Sequence, residues 1–345
     1  MNRKQHIAGF RLGHWIKRVV LCCGVALIVM FSFIGACAMW IFQPTFVLSK
    51  PLAVNRAARP LDLEDHVRKI SIDFTPRTYD QGRNLSDCAA YIHSFFRRYS
   101  TCVYRQPYIT KDGRTFENIG CSFGLGTQTC WIVGAHYDTA SLKTPGADDN
   151  ASGIAGLIEL ARMLSTANIP LGTTIELVAY CTEEPPYFNT SDMGSFRHAQ
   201  RVSNRQYRVT GMIALEMIGR FSDAPSSQTY PVDRVSWVLP SRGNFIAIVG
   251  RWDEHALIAR IKRGLKRVCK IPVYSVSLPD IGLGFDLSDH ASYWAHGYPA
   301  VFITDTAFWR NMDYHDQGDT WDRLDYDRMA SVIDGVFSVC VSSSF

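Results

Sequence analysis

The chain has 345 residues, of which 36 are lysine or arginine and 32 are aspartate or glutamate, and its formal net charge is +4. A balanced mixture of apolar and charged residues is typical of a packed globular protein and excludes a disordered chain. Five of the basic residues lie in the first 18 positions, so 31 basic residues face 32 acidic ones in the remainder. Because that remainder is near neutral, we expect no nucleic-acid partner.

The amino terminus has the pattern of a membrane anchor. Residues 1–18 form a basic tail without acidic residues, and residues 19–42 form an apolar transmembrane candidate without charged side chains. A helix over 19–42 would rise about 36 Å, which exceeds the roughly 30 Å of a bilayer's hydrocarbon core. The basic tail predicts a cytoplasmic amino terminus by the positive-inside rule. We therefore expect a single-pass signal anchor.

This topology predicts a location in the cell inner membrane, with the chain beyond about residue 50 exported to the periplasm. Two other interpretations stay open from the sequence. A cleaved signal peptide would have a shorter apolar region, typically about 7 to 15 residues. Residues 34–37 resemble a lipoprotein processing site that ends at Cys37, although the residues after it remain apolar.

Beyond a tether at 43–60, the pattern predicts one domain over 61–345. Apolar residues at helical spacing predict helices at 62–70, 81–99, 151–165, 256–269 and 326–341. Apolar and β-branched runs predict strands at 103–109, 116–123, 131–135, 174–180, 209–215, 245–250, 271–277 and 300–304. Strands that alternate with helices favour an α/β fold, a three-layer sandwich with a mixed, mainly parallel central sheet flanked by helices.

The ten cysteines show no CxxC or Cys/His spacing, so cysteine-ligated zinc is not expected. Cys121 and Cys130 flank a predicted two-residue turn at 125–126, which would place them opposite each other across a hairpin. In an oxidising compartment the two thiols could form a disulfide. The alternative interpretation is that Cys121 and Cys130 are two small buried residues without a disulfide bond.

Candidate metal ligands follow the carboxyl ends of four predicted strands. They are His136 and Asp138, the pair Glu183-Glu184, Glu216, and His315. In open α/β sheets this edge forms the ligand-binding crevice, so the loops are expected to converge. Two histidines and three carboxylates suit a pair of divalent ions, zinc foremost, and one remaining glutamate could serve as general base. The absence of an HExxH motif argues against a single-zinc helix site.

Six motifs stand in the order of one known family. They are His136-Tyr137-Asp138, residues 145–153 (PGADDNASG), Glu183-Glu184, residues 215–219 (LEMIG), Ser288-Asp289-His290, and Tyr314-His315 followed by Asp319-Thr320. Together they resemble the di-zinc aminopeptidase family, metallopeptidase family twenty-eight, over roughly residues 80–335. The resemblance implies a zinc exopeptidase-like fold, here in a bacterial, membrane-anchored member.

Two zinc ions and their ligands follow from this resemblance. It implies that His136, Asp149 and Glu216 hold one ion, and that Asp149, Glu184 and His315 hold the other. Asp149 would bridge the two ions. At the position of Glu216 the family often has aspartate, so a ligand one methylene longer would need a compensating change in the loop.

The resemblance also implies roles around the ligands. Asp138 would orient the His136 ring, and Glu183 would be the catalytic general base. Asp289, His290 and Tyr293 are candidates for the substrate pocket, with structural support as the alternative for His290. The peptide bond between Asp149 and Asn150 is expected to be cis.

The predicted function is that of a metal-dependent aminopeptidase that removes amino-terminal residues from peptides. A glutaminyl cyclase-like acyltransferase, which uses one zinc, is the first alternative. A carboxypeptidase-like hydrolase on the same scaffold is another, and a binding ectodomain whose metal site has decayed is a third. The sequence gives no prediction of side-chain specificity or oligomeric state.

Overall fold

The computed structural model describes residues 3–43, 57–124, 128–169, 172–203, 208–230, 239–278 and 286–342. Its strands are β1 (Cys102–Ile109), β2 (Thr115–Phe123), β3 (Thr129–His136), β4 (Thr173–Tyr180), β5 (Arg208–Leu215), β6 (Ile246–Arg251), β7 (Val273–Leu278) and β8 (Ala300–Thr304). Its helices are α1 (Arg3–Phe42), α2 (Pro60–Asp73), α3 (Gly82–Tyr99), α4 (Gly153–Leu164), α5 (Gly194–Val202), α6 (His255–Val268), α7 (His290–Ala295) and α8 (Tyr326–Val341).

All eight strands belong to one sheet, in the order β1-β2-β4-β3-β5-β8-β6-β7. The central strands β4, β3, β5 and β8 run parallel to one another. Strands β2 and β6 pair antiparallel to β4 and β8, at the two sides of this parallel core. The predicted mixed, mainly parallel sheet is therefore confirmed.

Helices cover both faces of the sheet and make the three layers. On one face α2, α3, α4, α6 and α8 pack against each other and against apolar side chains such as Val133 and Leu177. On the other face α5 and α7 pack together over Ile132 and Val178. Because side chains alternate along a strand, neighbouring residues of β3 and β4 contribute to both cores. Strands buried on both faces read as continuous apolar runs, which is why the sequence revealed them.

Helix α1 precedes this domain. Its segment Val20–Phe42 has a mean hydropathy of 2.6, is long and apolar enough to cross a membrane, and has no buried portion. That result fits a single-pass anchor, and a signal sequence has the same composition. Most of the predicted tether, residues 44–56, lies outside the described part of the chain.

Helices α5 and α7 were not predicted. Helix α5 has nine residues with the sequence GSFRHAQRV, and α7 has six. Both are short, and α5 contains two arginines and a histidine, so an apolar period is hard to recognise. Tertiary packing against the sheet stabilises them instead.

The predicted hairpin between Cys121 and Cys130 is wrong. Strand β4 lies between the two strands, so that Cys121 is opposite Leu177 and Cys130 is opposite Thr174. Both cysteines are buried and neither is in a disulfide, as in the alternative interpretation. A strand from a later part of the chain inserts between sequence neighbours, which local turn signals cannot reveal.

Candidate metal centre

The predicted ligands converge because four parallel strands end at one edge of the sheet. His136 is the last residue of β3, opposite Tyr180 at the end of β4. Glu216 directly follows Leu215 of β5, which pairs with Ile303 near the end of β8. Glu183 and Glu184 follow β4, and His315 lies beyond β8, so all of these loops meet above the same strand ends.

Asp149 stands between two groups of ligand atoms. Its Oδ1 lies 3.3 Å from Nε2 of His136, which is 3.5 Å from Oε1 of Glu216. Its Oδ2 lies 3.1 Å from Nε2 of His315, which is 3.4 Å from Oε2 of Glu184. Within each group the candidate ligand atoms lie within 4.8 Å of one another. One carboxylate thus presents a separate oxygen to each of two sites.

Several atoms of this cluster have no hydrogen-bond partner in the described part of the chain. They are Oδ2 of Asp149, Oε1 of Glu184 and Nε2 of His315, all of which are inaccessible to solvent. Polar atoms buried without a partner cost roughly 1 to 3 kcal/mol each, and more when charged. Imidazole nitrogen and carboxylate oxygen are ligands that zinc prefers. The residues therefore fit a divalent metal.

The charges of the cluster also indicate a site for a divalent metal. The cluster holds four carboxylates, of Asp149, Glu183, Glu184 and Glu216, against two histidines. Burial raises the pKa of Glu183 well above its usual value and that of Glu184 to about 7. Removal from water acts against the charged form of each acid. A bound cation would reverse that effect by favouring the ionised carboxylates.

The pKa values of the two histidines are also raised, which favours their charged form. Burial acts to lower the pKa of His136, but the Glu216 and Glu183 carboxylates outweigh it and raise that pKa well above its usual value. The pKa of His315 is likewise raised, to about 10, because the adjacent Asp149 and Glu184 carboxylates outweigh burial. The pKa of Asp149 is lowered in spite of burial, by the two histidine rings beside it. The electrostatic field of the cluster thus attracts positive charge.

The loop that carries Asp149 is fixed by two further aspartates. The two carboxylate oxygens of Asp319 accept hydrogen bonds from the backbone N–H groups of Asp148 and Asp149, at 3.0 Å each. The Asp148 carboxylate accepts from the N–H of Gly219 and from the side chain of Asn311. Asp148 therefore supports the loop, while the next residue turns into the site.

Asn150 ties this loop to the strand that carries Glu216. Its side-chain amide donates to the carbonyl of Leu215, and its Oδ1 accepts from the N–H of Met217. These two bonds flank Glu216 in the chain. The peptide bond between Asp149 and Asn150 is cis, as the family resemblance implied.

Arg77 holds the start of the same loop and was not predicted. Its fully buried guanidinium donates to four backbone carbonyl groups, those of Ile70, Tyr137, Pro145 and Gly146, at 2.7–3.0 Å. One side chain therefore connects α2, the end of β3 and the loop before Asp149. Nothing in the local sequence distinguishes Arg77 from a surface arginine, because most of its hydrogen-bond partners are backbone carbonyl groups of other segments.

Asp138 organises more of the site than expected. Its Oδ1 lies 3.5 Å from Nδ1 of His136, at the limit of a hydrogen bond, so Nε2 faces the ligand cluster. Its two oxygens also accept from the backbone N–H groups of Glu183 and Glu184, at 3.2 and 3.0 Å. Asp138 thus fixes the backbone of both glutamates and lies beside the His136 ring. A single carboxylate links the loops after β3 and β4.

Glu183 and Glu216 have different surroundings. Oε2 of Glu183 lies 4.0 Å from Nε2 of His136, and its side chain is 7% exposed. Oε2 of Glu216 accepts a hydrogen bond from Ser288 at 2.7 Å, which leaves Oε1 toward His136. Ser288 therefore fixes the long side chain of Glu216. Its place in the Ser288-Asp289-His290 motif was the available signal for this role.

The three candidate pocket residues are fully buried. Asp289 is near the ligands, and burial together with the charge of Glu216 raises its pKa to about 7 although His136 opposes this. The His290 ring contacts Trp294 and Phe302, and Tyr293 belongs to the core on the α5–α7 face. The structure thus places Asp289 beside the cluster and the other two in packing contacts. Their roles toward substrate stay predictions.

Comparisons with known proteins show the family and the fold. The model of peptidase family M28 matches residues 122–340. The chain is 43% identical over 325 residues to "Uncharacterized protein YfbL" of Escherichia coli K12, covering 92% of this chain and 98% of that protein. It is 27% identical over 216 residues to "Leucine aminopeptidase 1" of Grosmannia clavigera, covering 57% of this chain and 46% of the relative.

Solved structures show the same fold. The LapA aminopeptidase of Legionella pneumophila superposes with a TM-score of 0.65 at 20% identity, over 82% of this chain and 71% of that one. A glutaminyl cyclase of Bacteroides thetaiotaomicron superposes with a TM-score of 0.62 at 16% identity, over 84% and 99%. The predicted zinc exopeptidase-like architecture and the family resemblance are confirmed. The chain belongs to peptidase family M28.

Proposed function

We propose that this protein is a zinc-dependent aminopeptidase that hydrolyses the amino-terminal peptide bond of peptide substrates. Its family makes it a metallopeptidase, and aminopeptidases are among its relatives. The observation that carries the proposal is the position of Asp149, with one oxygen toward His136 and the other toward His315. A carboxylate shared between two ligand groups would suit a pair of divalent ions.

Five side chains would hold the two zinc ions. His136, Asp149 and Glu216 would bind one, and Asp149, Glu184 and His315 the other. The ions supply Lewis acidity, which makes water more acidic and stabilises negative charge on the oxygen of the scissile carbonyl group. Asp138 and Ser288 keep His136 and Glu216 in the orientation that binding requires.

Glu183 moves the proton. Its backbone N–H is fixed by Asp138, while its carboxylate is buried beside His136. It accepts a proton from the attacking water and returns that proton to the amine that leaves. Its carboxylate is only slightly exposed and lies next to the proposed ligands, as a general base for a water at this site requires. The adjacent Glu184 remains available as a ligand.

A membrane location completes the proposal. Helix α1 would anchor the chain as a single-pass protein of the inner membrane, with the basic tail in the cytoplasm and the peptidase domain in the periplasm. Peptides in that compartment would be the substrates. The near-neutral charge of the exported part is consistent with the absence of a nucleic-acid partner.

A glutaminyl cyclase-like acyltransferase is the second candidate, because a cyclase shares the fold. Such an enzyme uses a single zinc and would not need His136 and Glu216 as ligands. Here both side chains are buried in the cluster, 3.5 Å apart. That pair favours the two-metal peptidase.

A substrate panel tests the proposal. The purified full-length chain is assayed with aminoacyl-anilides, their amino-acetylated counterparts, a peptide that starts with glutamine, and a carboxyl-terminal reporter peptide. We expect hydrolysis of free-amine anilides, loss with chelator and recovery with zinc. The acetylated compounds are the matched control for recognition of the free amine. Cyclisation without hydrolysis, or release from the carboxyl terminus alone, would overturn the proposal.

A further inference from the structure

We propose that the last turn of α1 is a structural part of the peptidase domain, which holds the metal centre at the edge facing away from the membrane. The substrates would then be peptides dissolved in the aqueous compartment, and not amino termini at the bilayer surface. This inference deepens the proposed function and rests on it for the identity of the substrate. The orientation itself rests only on the contacts of α1.

The backbone carbonyl groups at the end of α1 bind side chains of the domain. The carbonyl of Phe42 accepts from Nζ of Lys262 at 2.6 Å and from Oγ of Ser275 at 2.9 Å. The carbonyl of Trp40 accepts from Oγ of Ser277 at 2.9 Å. The last four carbonyl groups of a helix have no partner within the helix. In α1 the domain supplies donors, including a cation at the negative end of the helix dipole.

Gln43 completes the junction. Its side chain accepts from Ser275 at 2.8 Å and donates to Ser277 at 2.7 Å, and it is only 6% exposed. Its φ of 36° is in the left-handed region, which ends the helix there. A flexible tether would leave such a side chain in water, so its burial marks a specific contact.

Aromatic side chains extend the contact. The indole of Trp40 lies 5.7 Å from that of Trp252 in a stacked arrangement and 3.7 Å from the ring of His255. Its N–H donates to the carbonyl of Trp252 at 3.0 Å. Tryptophan is enriched at membrane interfaces, where one side is apolar and the other side is wet. Trp40 therefore suits the level at which the helix leaves the lipid.

The domain side of this junction is polar and buried. Lys262, Ser275 and Ser277 are each at most 5% exposed, and burial lowers the pKa of Lys262 to about 8. Ser275 and Ser277 are two residues apart on β7 and therefore point to the same face. Donors buried on one face of an edge strand require acceptors. The end of α1 provides those acceptors.

The strand register gives the direction of the anchor. Ala247 of β6 pairs with Thr304, at the end of β8 that leads into the metal centre. Leu278 of β7 pairs with Arg251 at the other end of β6. Ser277 and Trp252, which contact Trp40, thus lie toward the edge opposite the metal centre. Phe42 contacts Ser275, which is closer to the metal centre than Ser277, the partner of Trp40. From Phe42 back to Trp40 the helix therefore runs away from the metal centre. The preceding part of α1 extends in the same direction.

The lengths of α1 and β7 are consistent with this arrangement. If Trp40 to Phe42 belong to the domain, residues 20–39 remain for the membrane, and a helix of that length rises about 30 Å. This equals the thickness of a typical hydrocarbon core, about 30 Å. Strand β7 has six residues, which span about 20 Å from the membrane side to the metal side. A peptide fixed at the bilayer would need a spacer of at least that reach.

Cross-linking tests the junction without any activity. In the full-length chain in lipid vesicles, Gln43→Cys is combined with Ser277→Cys, and a short thiol-specific cross-linker is added. Mass mapping distinguishes the new link from the native thiols. We expect a link between positions 43 and 277. The matched control combines Gln43→Cys with Tyr274→Cys, on the opposite face of β7, and should give none. No 43–277 link, or equal links in both variants, overturns the proposal.

Tethered substrates test the consequence in the same vesicles. One peptide with a free amino terminus is offered in solution, on lipid through a two-residue spacer, and on lipid through a twenty-residue spacer. Extended spacers reach about 7 and 66 Å. We expect similar kcat/KM for the soluble and long-spacer forms, and a loss of about 100-fold or more for the short one.

The outcomes separate the two proposals. Equal cleavage of the short-spacer form would overturn the orientation while leaving the peptidase assignment intact. If zinc-loaded protein cleaves none of the three forms, the proposed function fails. The cross-linking result still decides the orientation in that case, because it requires no turnover.

Discussion

Two buried polar clusters of this molecule contain the same kinds of side chain and differ in how these are paired. The metal-centre cluster consists of His136, Asp149, Glu184, Glu216 and His315. The tyrosine–histidine cluster, in the core near α5 and α7, consists of Tyr104, Glu176, Tyr180, His198 and Tyr293. Both are built around a buried histidine that lies close to glutamate.

In the tyrosine–histidine cluster the polar side chains form hydrogen bonds with one another. Tyr104 donates to Glu176 at 2.8 Å and contacts Nε2 of His198 at 2.9 Å, and Nδ1 of His198 lies 2.6 Å from the Tyr293 hydroxyl. In the metal-centre cluster, by contrast, carboxylate and imidazole atoms face one another without such bonds in the described residues. Residue type and burial alone therefore do not identify a ligand set. What distinguishes the metal-centre cluster is that several of its polar atoms have no hydrogen-bond partner in the described residues.

The largest expected effect distinguishes the two clusters by chemistry. Glu183→Gln should lower kcat by about 10² to 10⁴-fold, because an amide cannot accept the proton of the attacking water. Zinc content should not change, since Glu183 is not a proposed ligand. The matched control is Glu176→Gln, which should reduce stability and leave kcat of the folded enzyme within a few-fold. Steady-state kinetics with metal analysis measures both. An unchanged kcat in Glu183→Gln would remove the general base from the mechanism.

The second-largest effect is expected from the loss of the buried guanidinium of Arg77. Arg77→Met keeps most of the side-chain volume but removes a donor from four backbone carbonyl groups, of which those of Pro145 and Gly146 have another donor. We expect the free energy of unfolding to fall by about 3 to 5 kcal/mol, and zinc to be lost more readily. Denaturant unfolding measures the first effect. Arg83→Met, on a side chain that is 93% exposed, is the control. Equal stability of the two variants would show that Arg77 does not hold the loop.

Protons should compete with zinc at the metal centre. The pKa of His315 is raised to about 10 and that of Glu184 to about 7, so binding of zinc must displace protons below these values. Affinity should therefore rise with pH, by about 100-fold from pH 6 to pH 8 for one displaced proton. Competition with a chelator of known pH dependence measures this. An affinity independent of pH would contradict the proposed ligands.

The smallest expected effect concerns the tyrosine–histidine cluster. Tyr293→Phe removes a hydroxyl that contacts both Tyr180 and His198 at 2.6 Å. The free energy of unfolding should fall by about 1 to 3 kcal/mol, with zinc content and kcat/KM unchanged. Tyr274→Phe, at a half-exposed side chain, is the control. A fall in kcat/KM at unchanged stability would instead place Tyr293 in the substrate pocket.

Much of the fold was predictable because parallel strands are buried on both faces. The runs that became β3, β4 and β8 are mostly apolar, and the polar residues that follow them mark the strand ends. That pattern was enough to gather His136, Glu184, Glu216 and His315 at one edge. The pairing of ligands through Asp149 came from the family resemblance and not from spacing.

Other features depend on contacts between distant segments. The insertion of β4 between the strands of Cys121 and Cys130 is a property of sheet order, which local turn signals do not contain. The role of Arg77 depends on backbone carbonyls, so its own neighbours in sequence give no indication. The contact of Gln43 with Ser277 joins residues 234 positions apart. The roles of such residues can be recognised only when the tertiary packing is known.

The central claim is that the unpaired buried cluster binds two ions, and counting metal tests it most directly. The full-length protein is loaded with zinc, dialysed against metal-free buffer, and analysed by inductively coupled plasma mass spectrometry beside Asp149→Asn. We predict about two zinc ions per wild-type chain and a large loss of both in the variant, because the shared carboxylate is weakened as a ligand. A folded wild-type chain that retains one ion or none would contradict the two-metal centre.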